Sequence, residues 1–148
     1  MNRQEVFNKV YRHLILQGER SENNLDECVY RGMDDEGDYS GLSCAIGCLI
    51  DDEHYNEMME GLTPKDPMIV EALRKSGVDV KTPVLGHYDL GTNRHGNKFC
   101  YHNRNNPDVK FLMNLQGIHD DVRPDMWEEE LGNFATQEGL TVPQQLVE

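Results

Sequence analysis

Apolar positions recur at helical spacing in several stretches of the chain. Val6, Phe7, Val10, Tyr11 and Leu14 fall on one face of residues 4–17 and Gly18 supplies a stop, which predicts an amphipathic helix with its stripe on the core. Thr63 with Pro64 and Asp66 with Pro67 are nested helix starts closed by Ser76 and Gly77, so a short helix is predicted over 67–76. In "NPDVKFLMNLQGIHDDV", which begins near Pro107, Val109, Leu112, Leu115, Ile118 and Val122 form one stripe, weakened at Gly117. Asp125 and Glu128 have capping-box spacing ahead of Met126, Trp127, Leu131 and Phe134, a last helix that Gly139 ends.

Between these helices the periodicity changes. "ECVYRG" reads as a short strand ending at Gly32, and the acidic "MDDEGDYSG" after it reads as an exposed loop. The apolar run "SCAIGCLI" follows, with Ser43 placed to cap a helix or close a hairpin. Three acids after Ile50 suit a helix N-terminus and not a C-terminus, so a helix is predicted from Asp51 to Gly61, burying Tyr55, Met58 and Met59. Residues 78–106 lose helical spacing and read as a hairpin or loop insertion, with arms "PVLGHYDL" and "NKFCYHN". The architecture predicted is one mainly helical α+β domain over residues 1–148 with a small β-hairpin element, and a loosely held tail.

Length and composition fit that picture. A chain of 148 residues with 37% apolar and 28% charged residues builds one modest core. Its longest apolar runs, "LSCAIGCLI" and "VYRHLIL", fall short of the roughly 20 residues a membrane-spanning helix needs. "MNRQEVFNKV" lacks the apolar segment of an export signal, so a reducing cytoplasm and free thiols are expected for Cys28, Cys44, Cys48 and Cys100. With a net charge of −13 and scattered Lys and Arg, direct nucleic-acid binding is not expected. The acidic surface suits solubility, a basic protein partner, or imitation of a nucleic-acid backbone, for which Asp34–Asp38, Asp51–Glu60 and Asp120–Glu130 would have to share a face.

Several residue sets could carry chemistry. Cys44, just after a possible helix cap, could be a nucleophile served by His119 and Asp120, although adjacent helical side chains diverge by about 100° and relay poorly. The alternative is a small buried cysteine behaving as a hydrophobe. Cys28, Cys44, Cys48 and His54 offer four zinc ligands at a spacing that matches no familiar finger, and His87, His95, Cys100 and His102 form a second, lower-ranked set. Tyr30, Arg31, His119 and Trp127 could stack on a base and neutralise a phosphate. No GxxxxGK or GxGxxG string occurs, which argues against the common nucleoside-triphosphate enzymes.

The strings "CVYRG", "CAIGCLIDDEHY" and "LQGIHDDV", then Trp127 and "FATQEGL", resemble a set of small uncharacterised proteins common in bacteriophage genomes and some bacteria. The resemblance covers most of the chain outside residues 78–106, and in similar sequences a proline often stands at the position of Asp51. The insert "VLGHYDLGTNRHGNKFCYHN" is particular to this chain, so a metal role there would be private to it. The resemblance implies context rather than chemistry: a cytoplasmic, phage-encoded accessory protein acting by stoichiometric binding. It would block a host protein or sequester a nucleotide-like immune signal without catalysis and with no resident cofactor, the alternatives being a Cys44-dependent hydrolase or transferase and a zinc-stabilised adaptor.

Overall fold

The computed structural model of the protein describes residues 1–80, 90–92, 98–100 and 106–143, of which 90–92 and 98–100 by backbone alone. Four α-helices lie among them: α1 (Arg3–Gln17), α2 (Pro67–Lys75), α3 (Pro107–Asp121) and α4 (Trp127–Glu138). Strands β1 (Arg31–Met33) and β2 (Tyr39–Ser43) form one antiparallel pair, β3 (Leu90–Thr92) and β4 (Lys98–Cys100) a second. The domain is a mainly helical α+β fold, and none of its described helices is long and apolar enough to cross a membrane.

Three of the four described helices start where a polar side chain meets the free N–H groups. Asn2 accepts from Glu5 N–H at 2.9 Å while Glu5 accepts from Asn2 N–H at 3.0 Å, a reciprocal cap for α1. Asp66 and Asn106 cap α2 and α3, each with proline at the first helical position. The α1 stripe Val6, Phe7, Val10, Tyr11 and Leu14 is buried as its spacing predicts, packing on α4 and on the turn at Gly47–Leu49. Phe134 of α4 stacks on Phe7 with centroids 6.0 Å apart and meets Phe111 of α3 at 5.3 Å, which ties three helices around one aromatic cluster.

The capping box predicted at Asp125 and Glu128 does not form. A 3₁₀ turn, Pro124–Met126, runs directly into α4, and Asp125 instead meets Arg123 at 3.0 Å. The helix predicted from Asp51 to Gly61 is also replaced, here by 3₁₀ turns at Asp52–His54 and Glu57–Met59. Tyr55 and Asn56 between them are extended, and the Asn56 side chain accepts from Met58 N–H, restarting the chain rather than continuing a helix. Met59 is buried as expected, whereas Met58 is 71% exposed.

The stretch read as an exposed loop holds the tip and second strand of a hairpin. Asp34 accepts from the N–H groups of Glu36 and Asp38, Gly37 takes φ 86°, and β2 returns from Tyr39. The pairing runs from Met33↔Tyr39 to Arg31↔Ser43 with a bulge between, where Gly41 has φ 87°. The strand predicted over 27–32 is thereby displaced to Arg31–Met33, with an isolated bridge at Glu22↔Cys28. Ser43 closes this hairpin.

Residues 44–50 then dive into the core as a compact turn. Cys44, Ala45, Ile46, Leu49 and Ile50 are all buried, and Gly47 sits against the chain at Tyr30. A Cβ at Gly47 would lie 2.4 Å from the Tyr30 carbonyl oxygen, a backbone atom with nowhere to move. The start of the turn is clamped by α1, whose Gln17 exchanges two bonds with Ser43 while the His13 ring N–H reaches the Ser43 carbonyl at 2.7 Å.

Two outcomes follow from this packing. Gly47→Ala is expected to cost about 3 kcal/mol or more in urea denaturation, whereas Gly132→Ala in α4, where nothing lies within 4 Å of the new Cβ, should gain roughly 0.5–1 kcal/mol. Burial holds the His13 imidazole below its ordinary range; the Ser43 carbonyl opposes this, and the charges of His119, Lys9 and Arg31 reinforce it. As pH falls through about 6.5 the unfolded chain takes up the proton first, so the native state loses stability downward from there until folded His13 also protonates. Urea midpoints between about pH 7 and about pH 5 should fall less for His13→Gln than for the parent.

Candidate functional site

The four residues predicted to converge on a ligand divide between two places. Trp127 is fully buried at the start of α4, its ring N–H donating to the Val122 carbonyl at 2.9 Å and its face 5.5 Å from the His119 ring. Tyr30 is buried too, its hydroxyl donating to the Leu62 carbonyl at 2.5 Å, and burial raises its pKa. Arg31 borders the groove beside the hairpin, and Tyr30 lines a smaller cavity next to it. His119 and Trp127 belong to the core.

His119 does meet Asp120, against the divergence expected of neighbours on a helix: Nδ1 lies 2.8 Å from Asp120 Oδ1. Nδ1 is close to the backbone, and in the last turn of α3 the carboxylate folds back to reach it, held by Gln116 at 2.7 Å. On the far side of the ring Nε2 accepts the Ser21 backbone N–H at 2.9 Å. That donor fixes the tautomer, with the proton on Nδ1 donated to Asp120.

Cys28, not Cys44, completes this cluster, the three side chains offering atoms within 4.8 Å of one another. Burial first, then the charge and hydrogen bond of Asp120, push the Cys28 thiol up to about 11. A metal held at Nδ1 would move the ring proton to Nε2, face to face with the Ser21 N–H, so the bonds present suit a thiol and a neutral ring.

Cys44 is 1% exposed, its sulfur accepts from Gly47 N–H at 3.2 Å, and burial raises its pKa. The Cys48 thiol donates to the Ala45 carbonyl, and burial pushes it up to about 12 against the pull of Lys9 and Arg31. His54 lies with Asp51 and Glu53 at the surface, so Cys28, Cys44, Cys48 and His54 are not brought together as one ligand set. His87, His95 and His102 fall outside the described residues, and the side chain of Cys100 likewise.

The groove beside the hairpin encloses about 590 Å³. Met33 and Tyr39, paired across β1 and β2 and 44% and 59% exposed, form one wall, and Tyr55 stands on the other with Asp52, Glu57 and Glu60. The Arg31 guanidinium lies 4.7 Å from the Tyr55 ring centre. Its four terminal N–H groups are all engaged, with the carbonyls of Tyr30, Gly47 and Ile50 and with Asp52 at 3.1 Å. Glu60 is equally occupied, accepting from the N–H groups of Tyr30 and Arg31 and from the Tyr55 hydroxyl at 2.7 Å. The lining therefore holds one guanidinium against three carboxylates, and Asp34, Asp35, Glu36 and Asp38 crowd the hairpin tip next to Gly37. Tyr39, Tyr55 and Glu60 carry no motif. Cross-strand position and the break at Asn56 are what bring them to the groove.

A thiol at about 11 is ionised roughly one part in a thousand at about pH 8. Iodoacetamide should therefore label native Cys28 and Cys48 far more slowly than free cysteine, and Cys44 only after denaturation, as mapped by peptide mass spectrometry. Asp120→Asn should speed Cys28 labelling about tenfold by removing the acceptor charge; fast labelling of native Cys44 would contradict its place in the core. No family model, curated protein or solved structure matches the chain.

Proposed function

We propose that the protein acts by stoichiometric binding, holding an extended segment of a protein partner, rich in basic and apolar side chains, in the groove between the β1–β2 hairpin and residues 52–60. The observation that carries this reading is the charge of the groove. Its walls are apolar and aromatic, and among the described residues that line it the single cation is committed to carbonyls and Asp52 and the remaining charges are negative.

Magnitude favours a cationic over an anionic ligand in this reading. A phosphate about 4 Å from a carboxylate meets a repulsion of roughly 4 kcal/mol at an effective dielectric of about 20, and carboxylates outnumber guanidinium in the lining. A lysine or arginine side chain meets the same field with opposite sign, and the net charge of −13 steers such a segment from a distance. The nucleotide reading, which needs Arg31 as a free cation, draws less support. Reaction at Cys44 needs a thiolate where burial favours the thiol. A phage-encoded protein that occupies the basic surface of a host factor in the cytoplasm fits both this groove and the resemblance in sequence.

The test is a thermal-shift and fluorescence titration with a short peptide alternating arginine and leucine, beside a panel of linear and cyclic nucleotides. The peptide should stabilise the protein, by about 2.7 kcal/mol at a hundredfold excess over Kd, and bind more weakly as salt rises. Tyr39→Ala and Glu57→Lys, at exposed positions, should each weaken binding about tenfold. Stabilisation by a nucleotide but not by the peptide would reverse the assignment.

A further inference from the structure

Behind the groove lies a second cavity of about 370 Å³, bounded by α3, residues 60–64 and the Tyr30 and Cys44 side chains. Val29 and Glu60 line both cavities, so the two abut. We infer that this cavity seats an arginine side chain of the bound segment, an inference that rests on the groove taking a basic segment and names what selects it.

The lining has the character of an arginine sleeve. Leu62, Met113 and Tyr30 offer apolar surface to the methylenes, while Glu60, Asp120 and Asp121 supply three carboxylates with no lysine, arginine or histidine among the described lining residues. Glu60 and Asp120 already accept hydrogen bonds within the protein, so they contribute field rather than free acceptors. Asp121 is exposed and has no partner among the described residues, which leaves both its oxygens for a forked donor; a guanidinium meets both with parallel N–H groups, whereas an ammonium offers only a point charge.

Gly117 adds an independent observation. It stands inside α3, where glycine is unfavourable, yet nothing nearer than Asp121 Oδ2 at 3.9 Å would touch its Cβ. No packing demand explains the residue there. What its missing side chain does is leave the cavity wall open beside Asp121.

Titration of the ¹⁵N-labelled protein with N-acetyl-arginine amide, and with its neutral citrulline isostere, tests the site directly. The arginine compound should give saturable amide shifts at Cys28, Gly117, Asp120 and Asp121, and citrulline none. Asp121→Asn should weaken binding roughly tenfold, the worth of one charged hydrogen bond, and Gly117→Leu should abolish it without lowering the melting temperature. Absent or equal shifts for the two compounds, or an unchanged affinity for Asp121→Asn, would overturn the inference. If the arginine–leucine peptide moves the amides of Met33, Tyr39 and Tyr55 but not these, the groove stands and the sleeve falls. If it moves neither set, both fall.

Discussion

Between Ser43 and Asp51 the backbone crosses the core without a long helix or a sheet to satisfy it, and polar groups that its own short turns leave over are met by side chains brought from elsewhere. A buried N–H or C=O left without a partner costs about 1–3 kcal/mol, so each such bond constrains the element that supplies it. The Ser43 carbonyl takes His13 and Gln17 from α1; the Ile46 N–H takes Gln116 from α3; the carbonyls of Gly47 and Ile50 take Arg31 from β1; the Asp51 N–H takes Ser76 from the end of α2. One short turn thus fixes the positions of three helices and a strand, and Gly47, pressed on the Tyr30 carbonyl, sets how close the first strand comes.

The groove inherits its electrostatics from that requirement. Arg31 looks from the sequence like a cation waiting for a ligand, but the buried carbonyls claim it, and its side chain is only 11% exposed. Glu60 is bound in the same way, its carboxylate receiving the N–H groups of Tyr30 and Arg31. What is left facing solvent is the chemistry that core satisfaction did not consume: Asp52, 94% exposed, with Glu57, Tyr39 and Met33. The sign of the field in the groove follows from how the core turn is held together.

The helices were legible because their stripes and caps act locally. α1 and α2 begin and end within a residue or so of where Gly18, Asp66, Pro67 and Ser76 place them. The segment after Ile50 misled because acids followed by Tyr55, Met58 and Met59 mimic an amphipathic start, while Asn56, whose side chain competes for the backbone, breaks it in two. β2 escaped notice since its residues are exposed on both faces until Leu42, leaving no alternation to read. That Arg31 stands out was legible, but not that core carbonyls engage it, and the approach of Tyr39, Tyr55 and Glu60 was not, as it depends on a bulged hairpin and two 3₁₀ turns.

Cys28, His119 and Asp120 show why residue types do not by themselves define a catalytic centre. In a working cysteine relay the thiol gives its proton to the imidazole, and the carboxylate steadies the ring from the other side. Here the order of connection differs. The ring N–H donates to the carboxylate, the thiol lies within 4.8 Å of the same group, and the second ring nitrogen is filled by the Ser21 backbone N–H. No ring nitrogen is left to accept a proton from sulfur, and the Asp120 charge adds to burial in favouring the thiol over the thiolate. The cluster joins α3 to the segments at Ser21 and Cys28, and with Gln116 it ties that junction to the core turn at Ile46. A set that by composition could be an active centre is, by the direction of its protons, a brace that holds α3 to the segment at Ser21.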